Sequence, residues 1–263
     1  MSAFAMTKVD NEIRGRLALI TGASGGIGSA CARDLWAQGA SLALTCYHHR
    51  QPAVDLMDEL LKSDDVGNRK ITLHCVNIGW TEGVEQLFRE IGDQHGKNGP
   101  DILVSNAGYG KRRNGIADVS LEEFDHTINV NLRASFILCK LSIPHMEAQR
   151  WGRIIFISSI AAQGGGINAC HYAASKAGLT GLMKNLAMKH AKVGITVNDV
   201  APAMIGETGM IPDKKSVEGT PGDVNNIPVG RLGTPQECAN VVTMICKTGY
   251  LTGQSILLSG GLK

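Results

Sequence analysis

No apolar run in this chain approaches the ~20 consecutive residues of a membrane-spanning helix, so no membrane span is expected. Neither sign of charge is in large excess: 26 Lys and Arg stand against 24 Asp and Glu, a formal charge of +2. The basic surplus of a nucleic-acid binder is missing, and no electrostatic partner is implied. The seven cysteines, at 31, 46, 75, 139, 170, 238 and 246, are odd in number and form no C-x-x-C pair. That argues against a disulfide framework and points to a reducing, cytoplasmic setting. Cys46, His48 and His49 occupy nearly consecutive, divergent positions without a fourth ligand, so no metal is expected there. Met1 to Asp10 lacks both the Arg-rich amphipathy of a transit peptide and the apolar run of a signal peptide. Residues 1–15 read as a loose N-terminal extension.

What remains is ordinary for a globular protein: 263 residues, 43% hydrophobic and 19% charged, enough for one sizeable core. Short apolar runs alternate with helical stretches at the spacing of right-handed βαβ units. Strands are expected near Leu17–Thr21, Ser41–Cys46, Ile71–Ile78, Asp101–Asn106, Arg153–Ser159, Ile195–Val200 and Ser255–Leu258. Ser120-Leu121-Glu122-Glu123 reads as a capping box opening a helix through about Lys140, with Phe124, Ile128, Leu132 and Phe136 as its apolar stripe. The fold expected for 16–263 is α/β, one doubly wound parallel sheet of about seven strands with helices on both faces. Residues 205–233 are rich in Gly and Pro with little periodicity and read as a substrate lid.

Two motifs carry chemistry. Thr21-Gly22-Ala23-Ser24-Gly25-Gly26-Ile27-Gly28 follows the first strand and opens a helix, where glycines admit a pyrophosphate and the helix N-terminus offers free N–H groups. Gly22 to Gly26 also satisfies G-x-S-x-G, the nucleophile elbow, so a serine hydrolase using Ser24 is the rival reading. An elbow normally follows several strands, and here only one precedes it. Tyr172 and Lys176 lie four apart in a run of helix formers and so share a face. An ammonium beside a phenol favours the phenolate, which suits Tyr172 to proton transfer. By itself the pair is equally a packed Tyr beside a surface Lys.

Taken in order, Thr21-Gly22-x-x-x-Gly26-x-Gly28, Asn106-Ala107-Gly108, Asn131, Ser159, Tyr172-x-x-x-Lys176 and Asn198-x-Val200-x-Pro202 resemble the short-chain dehydrogenase/reductase family over essentially Arg16 to Leu262. The run from Tyr172 to Gly181, Gly194 to Pro202 and Pro228 to Gly233 are most similar to the 3-oxoacyl-acyl carrier protein reductases. The resemblance implies a Rossmann-like domain and an NADPH-dependent reduction of a small-molecule ketone. Tyr172 would be the proton donor, Ser159 would bind the carbonyl oxygen, Lys176 would hold the nicotinamide ribose and lower the Tyr172 pKa, and Asn131 would hold a water for reprotonation. Gly22, Ser24, Gly26, Ile27 and Gly28 would line the pyrophosphate. Asn106, Ala107 and Gly108 would lie against the adenosine ribose side, Asn77 and Ile78 near the adenine, and Pro202, Ile205 and Thr208 by the carboxamide. An acid at the end of the second strand would select NAD. Cys46 stands there instead, followed by Tyr47, His48, His49 and Arg50, which favours NADP(H), although Gly25 occupies a position where many NADP-using relatives carry arginine.

Departures from the family pattern cluster around the substrate mouth: Ser105 and Asn77 replace Asn and Asp, His171 replaces the Asn before the catalytic Tyr, and Ala203 replaces Gly. His171 marks a point where substrate preference departs from the relatives. An acyl carrier protein would dock on basic residues near the site. Arg150 matches one such position and Val193 does not match the other, with Lys111-Arg112-Arg113 as an alternative basic run. Homodimer or homotetramer formation through the Asn131 and Tyr172 helices is implied by the resemblance alone. A dinucleotide-binding regulatory protein without turnover is the remaining alternative.

Overall fold

Strands buried on both faces are apolar throughout rather than alternating, and the computed structural model, which describes residues 9–62, 66–164 and 166–263, bears this out. β1 (Leu17–Ile20) and β4 (Ile102–Ser105) are buried along their whole length. They form the middle of a seven-stranded sheet with β2 (Ser41–Cys46), β3 (Ile71–Cys75), β5 (Gly152–Ile157), β6 (Ile195–Pro202) and β7 (Ser255–Leu258). Every pairing is parallel and the order is β3-β2-β1-β4-β5-β6-β7. The direction of winding reverses between β1 and β4, which opens a crevice above their carboxyl ends.

Two cores flank the sheet. On one face Leu35 and Trp36 of α1 (Gly26–Ala37), Leu56 and Leu60 of α2 (Arg50–Leu61) and Val242 of α7 (Pro235–Cys246) pack on Leu42, Leu44 and Ile155. On the other, Leu87 and Ile91 of α3 (Thr81–His95), Ile137 and Leu138 of α5 (Ala134–Gln149), and Leu179 and Met183 of α6 (Ala169–His190) cover Leu19, Leu103 and Phe156. Each such side chain contributes ~1.5–3 kcal/mol by leaving water. α7 starts on a full capping box, Thr234 and Glu237 satisfying each other's backbone N–H, with Pro235 in the first turn.

Three expectations need correction. The helix opened by Ser120 does not end near Lys140: α4 (Leu121–Ile128) runs through a π-helical turn, Asn129–Arg133, into α5 and on to Gln149, with Pro144 inside it. Ser120 accepts from the Glu123 N–H, but the Glu123 carboxylate is engaged by the Arg113 guanidinium. The Phe124 to Phe136 stripe is core only in part: Leu132 packs against the α5–α6 core, whereas Phe124 and Phe136 are 41% and 51% exposed. The fully buried positions of this stretch include Thr127, Asn131 and Ala134. Finally, the N-terminal extension, of which residues 1–8 lie outside the described ones, is bound to the domain at its end. Ile13 is buried, and the Asp10 carbonyl accepts from Trp151 Nε1 at 2.9 Å.

The stretch 205–233 is ordered by its ends. Ile205 bridges Gly233, and the Gly206 N–H donates to the Gly233 carbonyl at 2.9 Å. Ile211, Val217 and Ile227 are its buried anchors.

Candidate active site

A cavity of about 690 Å³ lies over the carboxyl ends of the central strands, lined by residues that follow β1 to β6 and by Met204, Ile205 and residues 208–211. Its volume is that of a cofactor or ligand site. One end is the glycine turn. Thr21 Oγ1 accepts from the N–H groups of Asn106 and Ala107, both at 3.0 Å, and Asn106 Nδ2 donates back to the Thr21 carbonyl at 2.8 Å. The turn after β1 is thus locked to the loop after β4. Gly28 is required by packing, because a Cβ there would lie 2.4 Å from the Gly22 carbonyl oxygen. Gly26 is equally confined, with the Glu207 carbonyl oxygen 2.4 Å from where its Cβ would be.

α1 begins at this turn on Gly25, without a side-chain cap and without an acidic residue in its first turn. Its leading N–H groups and positive dipole end therefore face the cavity unneutralised, the arrangement that accepts a phosphate. A dinucleotide pyrophosphate fits this cradle, in which any side chain at Gly26 or Gly28 would collide.

The opposite wall holds the ionisable side chains. β5 delivers Ser159, and the next helix, α6, delivers Tyr172 and Lys176 one turn apart. Tyr172 is 7% exposed and Lys176 4% exposed. Lys176 Nζ donates to the Ile157 carbonyl at 2.8 Å and lies 5.7 Å from the Tyr172 ring centre. Burial pulls the Lys176 ammonium down to about 8, against the opposing charge of the buried Asp199. Burial pushes the Tyr172 phenol up, and a hydrogen bond with Ser159 works the other way. Here the expectation that Lys176 lowers the phenol is not met. The lysine's charge is directed to the Ile157 carbonyl, and desolvation dominates at the tyrosine.

Asn131 does not line the cavity. Its Oδ1 accepts from the Tyr109 N–H at 2.7 Å, and its Nδ2 donates to the Tyr109 carbonyl at 2.9 Å and to Ser175 Oγ at 2.9 Å. The side-chain amide thus holds protein atoms, which accounts for an Asn inside a helix.

Of the residues singled out from sequence, Gly22, Ser24, Gly26 and Ile27 line the cavity together with Tyr47 and His48, Asn77 and Ile78, and Asn106 to Gly108. Ser159, Tyr172, Lys176, Pro202, Ile205 and Thr208 line it as well. Gly28, Cys46 and Asn131 do not; the Cys46 thiol is buried with its Sγ 3.2 Å from Cys75 Sγ. Asn77 Oδ1 accepts from the Gly79 N–H at 3.0 Å, closing a local turn. His171 is fully buried beside Glu123, 3.5 Å from its carboxylate, and does not reach the cavity. Sequence reasoning missed Tyr109 and His126, whose rings meet edge to face at 4.7 Å, together with Asn168, Met204 and Met210. Apart from His126, in the last turn of α4, these sit on loops without periodicity, and only the spacing of Tyr109 from Asn106-Ala107-Gly108 hinted at one of them. In the basic run, Arg112 donates to the Ser216 carbonyl and Arg113 pairs with Glu123, so two of its three cations tie loops together.

The model of a family described as short chain dehydrogenase matches residues 16–218. A 3-oxoacyl-acyl-carrier-protein reductase FabG of Rickettsia bellii is 38% identical over 256 residues, covering 95% of this chain and 98% of that protein. Its namesake from Aquifex aeolicus is 35% identical over 257 residues, with 95% and 98% covered. The rabbit (Oryctolagus cuniculus) dehydrogenase/reductase SDR family member 4 is 31% identical over 266 residues, covering 99% and 98%. None of this supports a hydrolytic Ser24, which stands in the glycine turn between β1 and α1. A match this long, over a crevice that joins a phosphate cradle to a buried Ser, Tyr and Lys, establishes that the chain belongs to the short-chain dehydrogenase family of nicotinamide-dependent oxidoreductases.

Proposed function

We propose that this protein reduces the ketone of a 3-oxoacyl thioester or a closely related small carbonyl to a secondary alcohol, with NADPH as reductant. The observation that carries the reading is the cavity itself, with an uncapped helix N-terminus at one end and Ser159, Tyr172 and Lys176 at the other. The bound nicotinamide supplies the hydride. As negative charge grows on the carbonyl oxygen, the Tyr172 hydroxyl delivers a proton to it, and the Ser159 hydroxyl donates a hydrogen bond to the same oxygen. A phenol held protonated by burial is in the correct state to act as an acid. Lys176 holds the nicotinamide ribose through its ammonium. Asn131 acts through Tyr109, fixing the loop that borders the carbonyl site, rather than by holding a relay water: its side-chain amide is taken up by Tyr109 and Ser175, and its main-chain carbonyl accepts from Ser135 Oγ at 3.0 Å.

The segment after β2 favours NADPH over NADH. No carboxylate stands there to repel a 2′-phosphate, and Tyr47, His48 and His49 border the cavity with Arg50 next in the chain. The names of the relatives support a 3-oxoacyl substrate. Delivery on an acyl carrier protein has weaker support, since Arg112 and Arg113 are engaged in loop contacts, leaving for that role Lys111, Arg150 and Lys192, whose carbonyl accepts from Arg150. The exposed Phe124 and Phe136 on the α4–α5 face support a homodimer or homotetramer formed through it. The cysteine pattern supports a cytoplasmic location.

The test is turnover of a 3-oxoacyl thioester such as acetoacetyl-coenzyme A, followed by loss of NADPH absorbance and repeated with NADH. Reduction with a preference for NADPH is expected. Binding of NADPH without reduction of any ketone in a panel of thioesters and simple ketones would instead leave a regulatory dinucleotide-binding protein.

A further inference from the structure

Cys46 and Cys75 are register partners on neighbouring parallel strands, the last residues of β2 and β3. Strand alternation puts both side chains on one face, that of Leu42 and Leu44 on β2 and of Ile71 and Leu73 on β3. Their sulfurs are 3.2 Å apart and hydrogen-bonded. Adjacent strands lie ~4.8 Å apart, inside the Cα separation that a disulfide spans, so closing the bond to ~2.05 Å needs the sulfurs to approach by only ~1 Å. The two thiols differ in access. Cys75 is exposed on the edge strand, whereas Cys46 is buried.

The position of the pair gives such a bond a consequence. Tyr47 and His48 follow Cys46 directly, and Asn77 and Ile78 follow Cys75 by two and three residues; all four line the cavity. The Val76 N–H donates to the Cys46 carbonyl at 2.9 Å, so the two strand ends already move as one unit. Both walls of that end of the cavity are continuations of these two cysteines.

We propose that Cys46 and Cys75 form a redox-active dithiol, oxidised to a disulfide by low-molecular-weight disulfides such as oxidised glutathione, and that the bond weakens dinucleotide binding. The Cys75 thiolate attacks one sulfur of the small disulfide, forming a mixed disulfide and expelling one thiolate. The Cys46 sulfur, losing its proton to solvent, then attacks Cys75 Sγ and expels the second. The protein loses two electrons and two protons, and the small disulfide is reduced to two thiols. Burial and the neighbouring sulfur push the Cys46 thiol up to about 12, so Cys75 is the attacking member. In a reducing compartment the bond is transient and reversed by excess thiol, as befits a regulatory rather than a structural disulfide.

The effect on binding rests on the reading of the main cavity as the dinucleotide site; formation of the bond does not. The test treats the full-length protein with oxidised glutathione, maps disulfides by peptide mass spectrometry, and titrates NADPH and NADH before treatment, after it and after dithiothreitol. A Cys46–Cys75 peptide is expected, with affinity falling on the order of tenfold and returning on reduction. Cys75→Ser is expected to bind as the untreated protein does and to ignore the oxidant. That variant separates this pair from Cys170, the other exposed thiol, which adjoins the Tyr172 segment. Absence of the cross-linked peptide overturns the dithiol, and a cross-link without change in affinity overturns its control of binding. Persistent oxidant sensitivity in Cys75→Ser assigns the effect to another cysteine and likewise overturns the proposal. If the reduced protein binds neither nucleotide, the dinucleotide reading fails together with the control of binding, while the peptide map still decides whether the dithiol exists.

Discussion

Asn131 grips Tyr109 by both ends of one residue, accepting from its N–H at 2.7 Å and donating to its carbonyl at 2.9 Å. The π-helical turn at Asn129–Arg133 carries this side chain, and the gripped loop borders the cavity between the glycine turn and the catalytic helix. Asn131 is thus a positioning residue. Asn131→Ala strands two backbone groups of Tyr109 and takes one of two partners from the Ser175 hydroxyl, which keeps its bond to the Tyr172 carbonyl. A loss of ~2–4 kcal/mol in urea unfolding is expected, together with a rise in the substrate KM larger than the fall in kcat. A purely structural residue would lower stability without that split.

Lys176 and Asp199 set the alkaline limb. The Lys176 ammonium, pulled down to about 8 by burial, is the form that would bind the ribose in the proposed reaction, and it is present below that pH and lost above it. kcat/KM is therefore expected to fall as pH rises through about 8. Asp199, which accepts from Ser158 Oγ at 2.7 Å and Ser255 Oγ at 2.6 Å, holds the lysine up by its charge. Asp199→Asn keeps the shape and removes the charge. The limb is expected to move to lower pH, read from pH–rate profiles of the two proteins.

Gly26→Ala tests the contact between the turn and the lid. The new methyl would sit 2.4 Å from the Glu207 carbonyl and 3.1 Å from Pro235 Cγ, and a backbone oxygen cannot yield cheaply. Displacement of the 205–211 segment is expected, raising the cofactor dissociation constant about tenfold at a stability cost of ~1–3 kcal/mol. Isothermal titration with NADPH and thermal melting check the two parts separately.

His171 is buried with neither ring nitrogen hydrogen-bonded among the described residues. Its contact with Glu123 at 3.5 Å lacks hydrogen-bond geometry, because Arg113 already occupies that carboxylate. A buried polar group without partners costs stability. His171→Phe is expected to be neutral or to gain ~1 kcal/mol in urea unfolding, with substrate preference unchanged. A shift in preference among acyl chain lengths would show instead that His171 acts on the site.

The strands and most helices were legible because parallel strands are read as short apolar runs and helices by their period, and the winding of the sheet follows from strict alternation. The glycine turn and the Tyr172–Lys176 pair were legible as motifs of chemistry, and Ser159 through the family resemblance alone. The π-helical turn was not, because it changes hydrogen bonding without changing residue pattern. The outward Phe124 and Phe136 misled because an apolar stripe looks the same whether it meets its own sheet or the surface. Cys46 shows the converse: alternation from Leu42 and Leu44 turns its side chain toward the α2 face, away from the cavity that Tyr47 and His48 border. Tyr109 and His126 were missed because the loop after β4 and the last turn of α4 meet only in three dimensions.

On the proposed reading Tyr172 delivers a proton to a ketone oxygen as the carbonyl carbon is reduced. The most direct measurement compares wild type with Tyr172→Phe for NADPH oxidation by acetoacetyl-coenzyme A, with NADPH affinity measured in parallel. Turnover is expected in the wild type, with a loss of ~10²–10⁴-fold in kcat in the variant and nearly equal NADPH binding in both. Turnover undiminished in Tyr172→Phe would contradict that reading.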